Sequence, residues 1–161
     1  MLHLHPERVN HKSFLSFFIF FPEHSFFKHK HSTCPTAKLR KAAAWLHDTM
    51  EDCGVSYGEL CAEFGPYVAT LVYLLTNDEE EKERLGKARY MSKKLAALPP
   101  DALTIKLCDM LDNMTGTRSR RQAETYVEFL KSVREKKPAV WNGTHEELAE
   151  RILETYGQKV F

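Results

Sequence analysis

The chain has 161 residues, of which 43% are hydrophobic and 28% charged, so it is long and apolar enough for one domain with a substantial core. Its formal net charge of +1 gives no excess of basic residues, and a nucleic-acid partner is therefore not expected. The four cysteines show no Cys-x-x-Cys spacing and indicate reduced thiols, as in a cytoplasmic protein.

The first 35 residues differ in composition from the rest of the chain. Most of the histidines and phenylalanines lie here, without a helical period. The apolar run from Phe14 to Phe21 is too short to span a bilayer, and Pro22 follows it instead of a cleavage site, so neither a membrane partner nor a signal peptide is expected. We expect an atypical, poorly ordered segment over residues 1–35 and a helical domain over residues 36–161.

Capping residues and helix breakers divide the remainder into helices, and no strand is predicted. Ser56 with Glu59 has the spacing of a capping box, as does Thr144 with Glu147. A Pro-Pro pair breaks the chain before Asp101, which is expected to cap the next helix. The sequence therefore predicts an all-α fold, with helices over 36–52, 56–64, 66–76, a charged segment over 79–98, and helices over 101–114, 122–136 and 144–156.

The first predicted helix carries an imidazole and three carboxylates near its end. His47 and Glu51 are four residues apart, as are Asp48 and Asp52, so a continuous helix would bring all four to one side. Such a set suits a divalent cation such as Mn²⁺, Fe²⁺ or Zn²⁺. A solvated acidic face is the alternative, but the apolar neighbours favour burial; these are Ala42, Ala43, Ala44, Trp45, Leu46, Thr49 and Met50.

The helix predicted over residues 101–114 has the same two-faced character. Lys106, Asp109 and Asn113 cluster on one side of it. Two helices with apolar backs and polar fronts could enclose a site between them. The apolar stripe on the other side of this helix consists of Leu103, Leu107, Leu111 and Met114.

Three segments, in this order, resemble the HD-domain phosphohydrolases. They are Ala-Ala-Trp-Leu-His-Asp-Thr-Met-Glu-Asp over 43–52, a short helix ending in Phe-Gly followed by an apolar helix over 59–72, and Thr-Ile-Lys-Leu-Cys-Asp-Met-Leu-Asp-Asn-Met over 104–114. The resemblance is strongest to the stringent-response branch, the guanosine 3′,5′-bis(diphosphate) 3′-pyrophosphohydrolases. It extends from Leu39 to Met114 and implies a compact HD-domain helical bundle.

The resemblance also implies an activity and a set of functional residues. The activity would be metal-dependent hydrolysis of the 3′-pyrophosphate of guanosine tetraphosphate or a related nucleotide, with Mn²⁺ as the expected metal. The implied roles are metal ligation by His47, Asp48 and Asp109, water activation by Glu51 and Asp52, and nucleotide binding by Lys106 and Asn113.

Two departures from the family pattern leave alternatives open. Met110 stands where the family usually has Arg, and the family's first metal-ligand His, expected upstream of His47, is not recognisable. His24 has suitable spacing but unsuitable neighbours. A mis-called start or a frameshift would account for the replaced first helix. The chain could therefore be a different HD-type nucleotide phosphohydrolase, or a degenerate, non-catalytic helical domain that binds nucleotide.

Several further residues are candidates for phosphate binding. The resemblance implies that the charged segment faces the substrate, and the arginines that follow residue 114 could neutralise a pyrophosphate because Arg pairs with phosphate through two parallel hydrogen bonds. The alternative for each is an ordinary exposed, charged surface. The candidates are Arg84, Lys87, Arg89 and Tyr90 in the charged segment, and Arg118, Arg120 and Arg121 after the segment over 104–114.

Overall fold

A computed structural model describes residues 35–116, 119–136 and 139–159 of the chain. Over these residues the protein forms nine helices and no strand, which confirms the predicted all-α fold. None of the described helices is long and apolar enough to cross a membrane. The helices are α1 (Pro35–Leu46), α2 (Thr49–Asp52), α3 (Tyr57–Phe64), α4 (Pro66–Leu75), α5 (Glu79–Leu85), α6 (Lys87–Ala97), α7 (Pro100–Gly116), α8 (Arg120–Lys136) and α9 (Gly143–Gln158).

The helices divide into two compact units, one ending at Thr76 and the other beginning at Asn77. The expectation of poor order for residues 1–35 lies outside the described residues, apart from the backbone of Pro35. The division of the chain into that segment and a single helical domain therefore stays a prediction.

In the first unit, α4 packs against both α1 and α3. The predicted capping box is confirmed: the Glu59 N–H donates to Ser56 Oγ at 3.3 Å, and the Ser56 N–H donates to Glu59 Oε2 at 2.9 Å. Gly65, at φ 83°, turns the chain directly into α4, whose first residue is Pro66. The buried residues of this unit are Ala43, Val55, Leu60, Val68, Ala69, Leu71, Val72 and Leu75.

In the second unit, α7 packs against α9 and α8, and α6 packs against α5 and α8. The charged segment divides at Gly86, φ 76°, into α5 and α6, and no residue of α5 is buried, as a solvated helix requires. The apolar stripe predicted for α7 is confirmed, since all of its members are buried: Leu103, Leu107, Leu111 and Met114.

Two predicted helix starts in the second unit are wrong. The carbonyl of Pro99 accepts the Leu103 N–H at 2.9 Å, so α7 begins at Pro100 and Asp101 lies inside its first turn. The cap of α9 is Asn142, whose Oδ1 accepts the N–H groups of Thr144 and His145 at 3.0 and 3.2 Å. The amide of Asn142 captures the helix terminus two residues before Thr144, so the predicted box of Thr144 with Glu147 does not form.

His145 joins α9 to α7 as a buried, neutral histidine. Its Nδ1 accepts the Asn142 N–H at 3.2 Å, so its proton must reside on Nε2. That Nε2–H lies 3.1 Å from the Pro100 carbonyl and 3.0 Å from Thr104 Oγ1. Burial, opposed by smaller effects of the Pro100 and Val140 carbonyls and Asp101, lowers the pKa of His145 below its ordinary value.

This lowered pKa makes the fold sensitive to mild acid. Above about pH 6.5 His145 is neutral in both folded and unfolded chains, whereas below it the unfolded chain takes up a proton that the folded chain resists, so stability falls as pH falls. Urea unfolding at pH 7 and pH 5 should show a smaller loss of stability for His145→Gln than for the unsubstituted chain. An equal loss in both would contradict the assignment.

Candidate functional site

The structure places His47 and Asp48 in a turn between α1 and α2, so the predicted continuous helix over 36–52 is wrong. Two side chains bond to backbone carbonyls at this break. His47 Nδ1 lies 2.9 Å from the Ala44 carbonyl, and Thr49 Oγ1 donates to the Leu46 carbonyl at 2.6 Å. Helical bonding resumes when the Asp52 N–H donates to the Asp48 carbonyl at 2.8 Å.

The imidazole of His47 is oriented by its bond to the Ala44 carbonyl. A carbonyl can only accept, so Nδ1 carries a proton, and Nε2 acts as an acceptor when the ring is neutral. Nε2 lies 3.0 Å from Asp48 Oδ1, which is also an acceptor when the carboxyl group is ionised. Two acceptors at this distance are bridged either by a shared proton or by a cation bound to both atoms.

The pair of His47 and Asp48 fits a divalent metal ion. Two ligands at right angles with bonds of about 2.1 Å are about 3 Å apart, which matches the separation of Nε2 and Oδ1. A backbone carbonyl holding the other ring nitrogen is the usual support of a metal-binding histidine. The His47 side chain is only 14% exposed and that of Asp48 is 47% exposed, so a ligand can reach the pair from the Asp48 side.

Glu51 and Asp52 follow on the single-turn helix α2, and both are exposed. Because the helix is interrupted at residues 47 and 48, His47 and Glu51 do not belong to one continuous helix. Asp52 remains tied to the turn through its backbone bond to Asp48. The burial expected for the apolar side of the predicted helix over 36–52 is only partly found, since Ala43 is fully buried but Trp45 is 44% exposed.

The polar cluster predicted for the helix over residues 101–114 is centred on Asp109, in α7. Lys106 Nζ donates to Asp109 Oδ2 at 2.7 Å, and Asn113 Nδ2 donates to Asp109 Oδ1 at 2.7 Å. The predicted clustering of these three side chains on one helix face is thus present. Their mutual bonding was not predicted, because Lys106 and Asn113 were expected to contact nucleotide.

Both sequence neighbours of Asp109 in α7 are buried. Met110, at the position where the resemblance leads one to expect Arg, is 1% exposed. Cys108 is buried as expected, and burial, together with the nearby Asp109 carboxylate, raises the pKa of its thiol to about 12. Cys108 is therefore a core residue and not a nucleophile.

The structure brings the implied site residues together in two groups. His47, Asp48, Glu51 and Asp52 lie in the first unit, whereas Lys106, Asp109 and Asn113 lie in the second. Over the described ranges, no group of three or more His, Cys, Asp or Glu side chains could by itself hold a metal ion.

Few histidines among the described residues could serve as metal ligands. Within the described residues only His47 and His145 are histidines, and both ring nitrogens of His145 are engaged inside the second unit. The other six histidines of the sequence lie in the amino-terminal segment, residues 1–35. Those six, among them His24, lie outside the described residues.

The additional phosphate-binding candidates differ in their surroundings. Tyr90 is 4% exposed and its hydroxyl accepts the Asp78 N–H at 2.7 Å, which favours a structural role. Arg84 and Arg120 pair with Glu81 and Glu124 on their own helices. Arg118 lies outside the described residues, and the remaining candidates are exposed; these are Lys87, Arg89 and Arg121.

Comparison with known proteins places this site in a family context. The chain is 36% identical over 81 residues to the guanosine-3′,5′-bis(diphosphate) 3′-pyrophosphohydrolase of Aquifex aeolicus (strain VF5), covering 45% of this chain and 11% of that protein. It is 32% identical over 102 residues to the guanosine-3′,5′-bis(diphosphate) 3′-pyrophosphohydrolase MESH1 of Drosophila melanogaster, covering 58% of this chain and 56% of that protein. No family model matches the chain, and no solved structure matches it.

These similarities confirm the resemblance found in the sequence. The chain is distantly similar, over about half of its length, to guanosine-3′,5′-bis(diphosphate) 3′-pyrophosphohydrolases. Its all-helical fold is consistent with the helical bundle of such relatives. The match spans about a tenth of the Aquifex protein and just over half of the Drosophila protein.

The buried thiol beside Asp109 gives a direct test of this part of the structure. With a pKa of about 12, only about one in ten thousand Cys108 thiols is ionised at pH 8, so alkylation should be very slow. Cys53 and Cys61 are half-buried and should react first, as mass spectrometry of the labelled protein would show. Rapid labelling of Cys108 in the folded chain would contradict this packing.

Proposed function

We propose that this chain is a metal-dependent phosphohydrolase that removes the 3′-pyrophosphate of guanosine tetraphosphate or a closely related nucleotide. The observation that carries the proposal is the approach of His47 Nε2 to Asp48 Oδ1 at 3.0 Å, with Nδ1 directed to a carbonyl. Similarity to two guanosine-3′,5′-bis(diphosphate) 3′-pyrophosphohydrolases supports the substrate class.

The proposed ligands of the metal are His47, Asp48 and Asp109, and Mn²⁺ is the proposed ion because imidazole with carboxylates is a common donor set for it. When bound, the ion would supply Lewis acidity toward a phosphate oxygen and lower the pKa of a coordinated water. The assignment of Asp109 to this centre rests on the sequence match and on its two-sided support within α7.

Glu51 and Asp52 are proposed to handle the proton. One carboxylate accepts a proton from the attacking water while the oxygen of that water bonds to the phosphorus attached at the ribose 3′ oxygen. The bond between that phosphorus and the 3′ oxygen breaks, and the 3′ oxygen receives a proton. The products are guanosine diphosphate and pyrophosphate.

A second candidate function follows from the histidine supply. The family's first histidine ligand is not recognisable in the sequence, and His145 is engaged elsewhere. With three protein ligands the centre would bind its ion more weakly, and the chain would be a nucleotide-binding domain with little or no hydrolysis. Replacing all six amino-terminal histidines with Gln separates the two cases, because a lost ligand lowers Mn²⁺ affinity only if one of them binds the ion.

The metal ligands are tested by calorimetry with Mn²⁺ in the absence of nucleotide. Asp109→Ala and His47→Ala should each weaken Mn²⁺ binding by at least about a hundredfold, since even groups that only support a ligand are worth 10- to 100-fold. Slow labelling of Cys108 in Asp109→Ala would verify that the fold is retained, because burial is the larger cause of its raised pKa. Unchanged affinity in either folded variant would exclude that residue as a ligand.

The reaction is tested by following pyrophosphate release from guanosine tetraphosphate with Mn²⁺. Glu51→Gln should retain Mn²⁺ affinity but lose about 10²- to 10⁴-fold in rate if Glu51 is the proton acceptor, and Asp52→Asn is the matched variant for the other carboxylate. Hydrolysis of simple nucleotides without hydrolysis of guanosine tetraphosphate would retain the enzyme class and reject the substrate. Mn²⁺ binding without any hydrolysis would favour the non-catalytic domain.

A further inference from the structure

The Asp109 carboxylate is held from both sides by its own helix. Lys106 lies three residues before it and Asn113 four residues after it, so all three side chains rise from one face of α7. Each carboxylate oxygen receives one of the two donors at 2.7 Å, Oδ2 from the ammonium and Oδ1 from the amide. Rotation of the carboxylate would break both bonds, so its plane is fixed.

This arrangement is poorly suited to nucleotide binding by Lys106. The side chains of Lys106 and Asp109 are only 14% and 18% exposed, so the ion pair is largely withdrawn from water. Moving the ammonium to a phosphate would break its ion pair with the Asp109 carboxylate in a poorly solvated place, which is costly. Asn113 is exposed, but its amide nitrogen is directed at Asp109.

We propose that Lys106 and Asn113 are positioning residues that aim the Asp109 carboxylate, and not contacts for the nucleotide. The inference rests on the proposed function, because it requires Asp109 to bind the metal. Lys106 and Asn113 each donate to a different oxygen of Asp109, so together they set the plane of the carboxylate.

The decisive variant is Asn113→Ala, because it removes a donor without changing charge. Its matched control is Thr115→Ala, an exposed position on the same helix whose hydroxyl donates to the Leu111 carbonyl at 2.9 Å. Calorimetry without nucleotide should show Mn²⁺ affinity about tenfold lower in Asn113→Ala and unchanged in the control. At saturating Mn²⁺ the KM for guanosine tetraphosphate should stay the same.

Lys106 requires a readout that does not depend on metal, since removing an ammonium also removes a repulsion toward the ion. The ¹³C carboxyl resonance of Asp109 in metal-free protein provides it. Lys106→Met should shift that resonance and Lys106→Arg should largely restore it, because Arg again donates to the carboxylate. If the Asp109 resonance is unchanged in Lys106→Met, the positioning role of Lys106 is overturned.

The failure of this inference can be told from the failure of the proposed function. If Asp109→Ala loses Mn²⁺ while Asn113→Ala keeps full affinity and shows a raised KM, Asp109 is a ligand and Asn113 contacts the nucleotide, so the positioning role is overturned alone. If folded Asp109→Ala keeps its Mn²⁺ affinity, there is no ligand to position and both proposals fall. Loss in both variants with unchanged KM supports both.

Discussion

The bond between the His47 ring and the Ala44 carbonyl is the interaction from which the candidate site follows. The Leu46 carbonyl likewise accepts the Thr49 hydroxyl, three residues further on. Helix α1 ends at Leu46, and His47 and Asp48 lie in a turn instead of on a helical face. The carbonyl anchor fixes the orientation of the imidazole, whose Nε2 lies 3.0 Å from Asp48 Oδ1.

In the second unit the side chain of Asp109 is oriented in a different way. Asp109 remains within an unbroken helix, and helical spacing supplies one donor from the turn before and one from the turn after. Burial of the opposite face of α7 fixes the rotation of the helix, so the polar face has a defined direction within its unit. A bond to a backbone carbonyl thus orients one group of polar side chains, and helical periodicity orients the other.

Local spacing rules predicted some features of the fold and missed others. The capping box at Ser56 and the apolar stripe of α7 both depend on residues three or four apart, and both are present. The same rule failed at Thr144, because Asn142 caps that helix instead. The break at His47 was not foreseen, because hydrophobic periodicity continues through it. His145 was missed for a different reason: its partners Pro100 and Thr104 lie more than forty residues away, and no spacing rule connects them.

The burial of Met110 restricts which side chains its position can hold. At 1% exposure, the thioether occupies space in which a guanidinium would have to be desolvated, at a cost of several kcal/mol unless a partner were supplied. Met110→Arg would therefore destabilise the second unit before it could assist any reaction. An Arg at this position would first require compensating changes among the residues that now surround Met110.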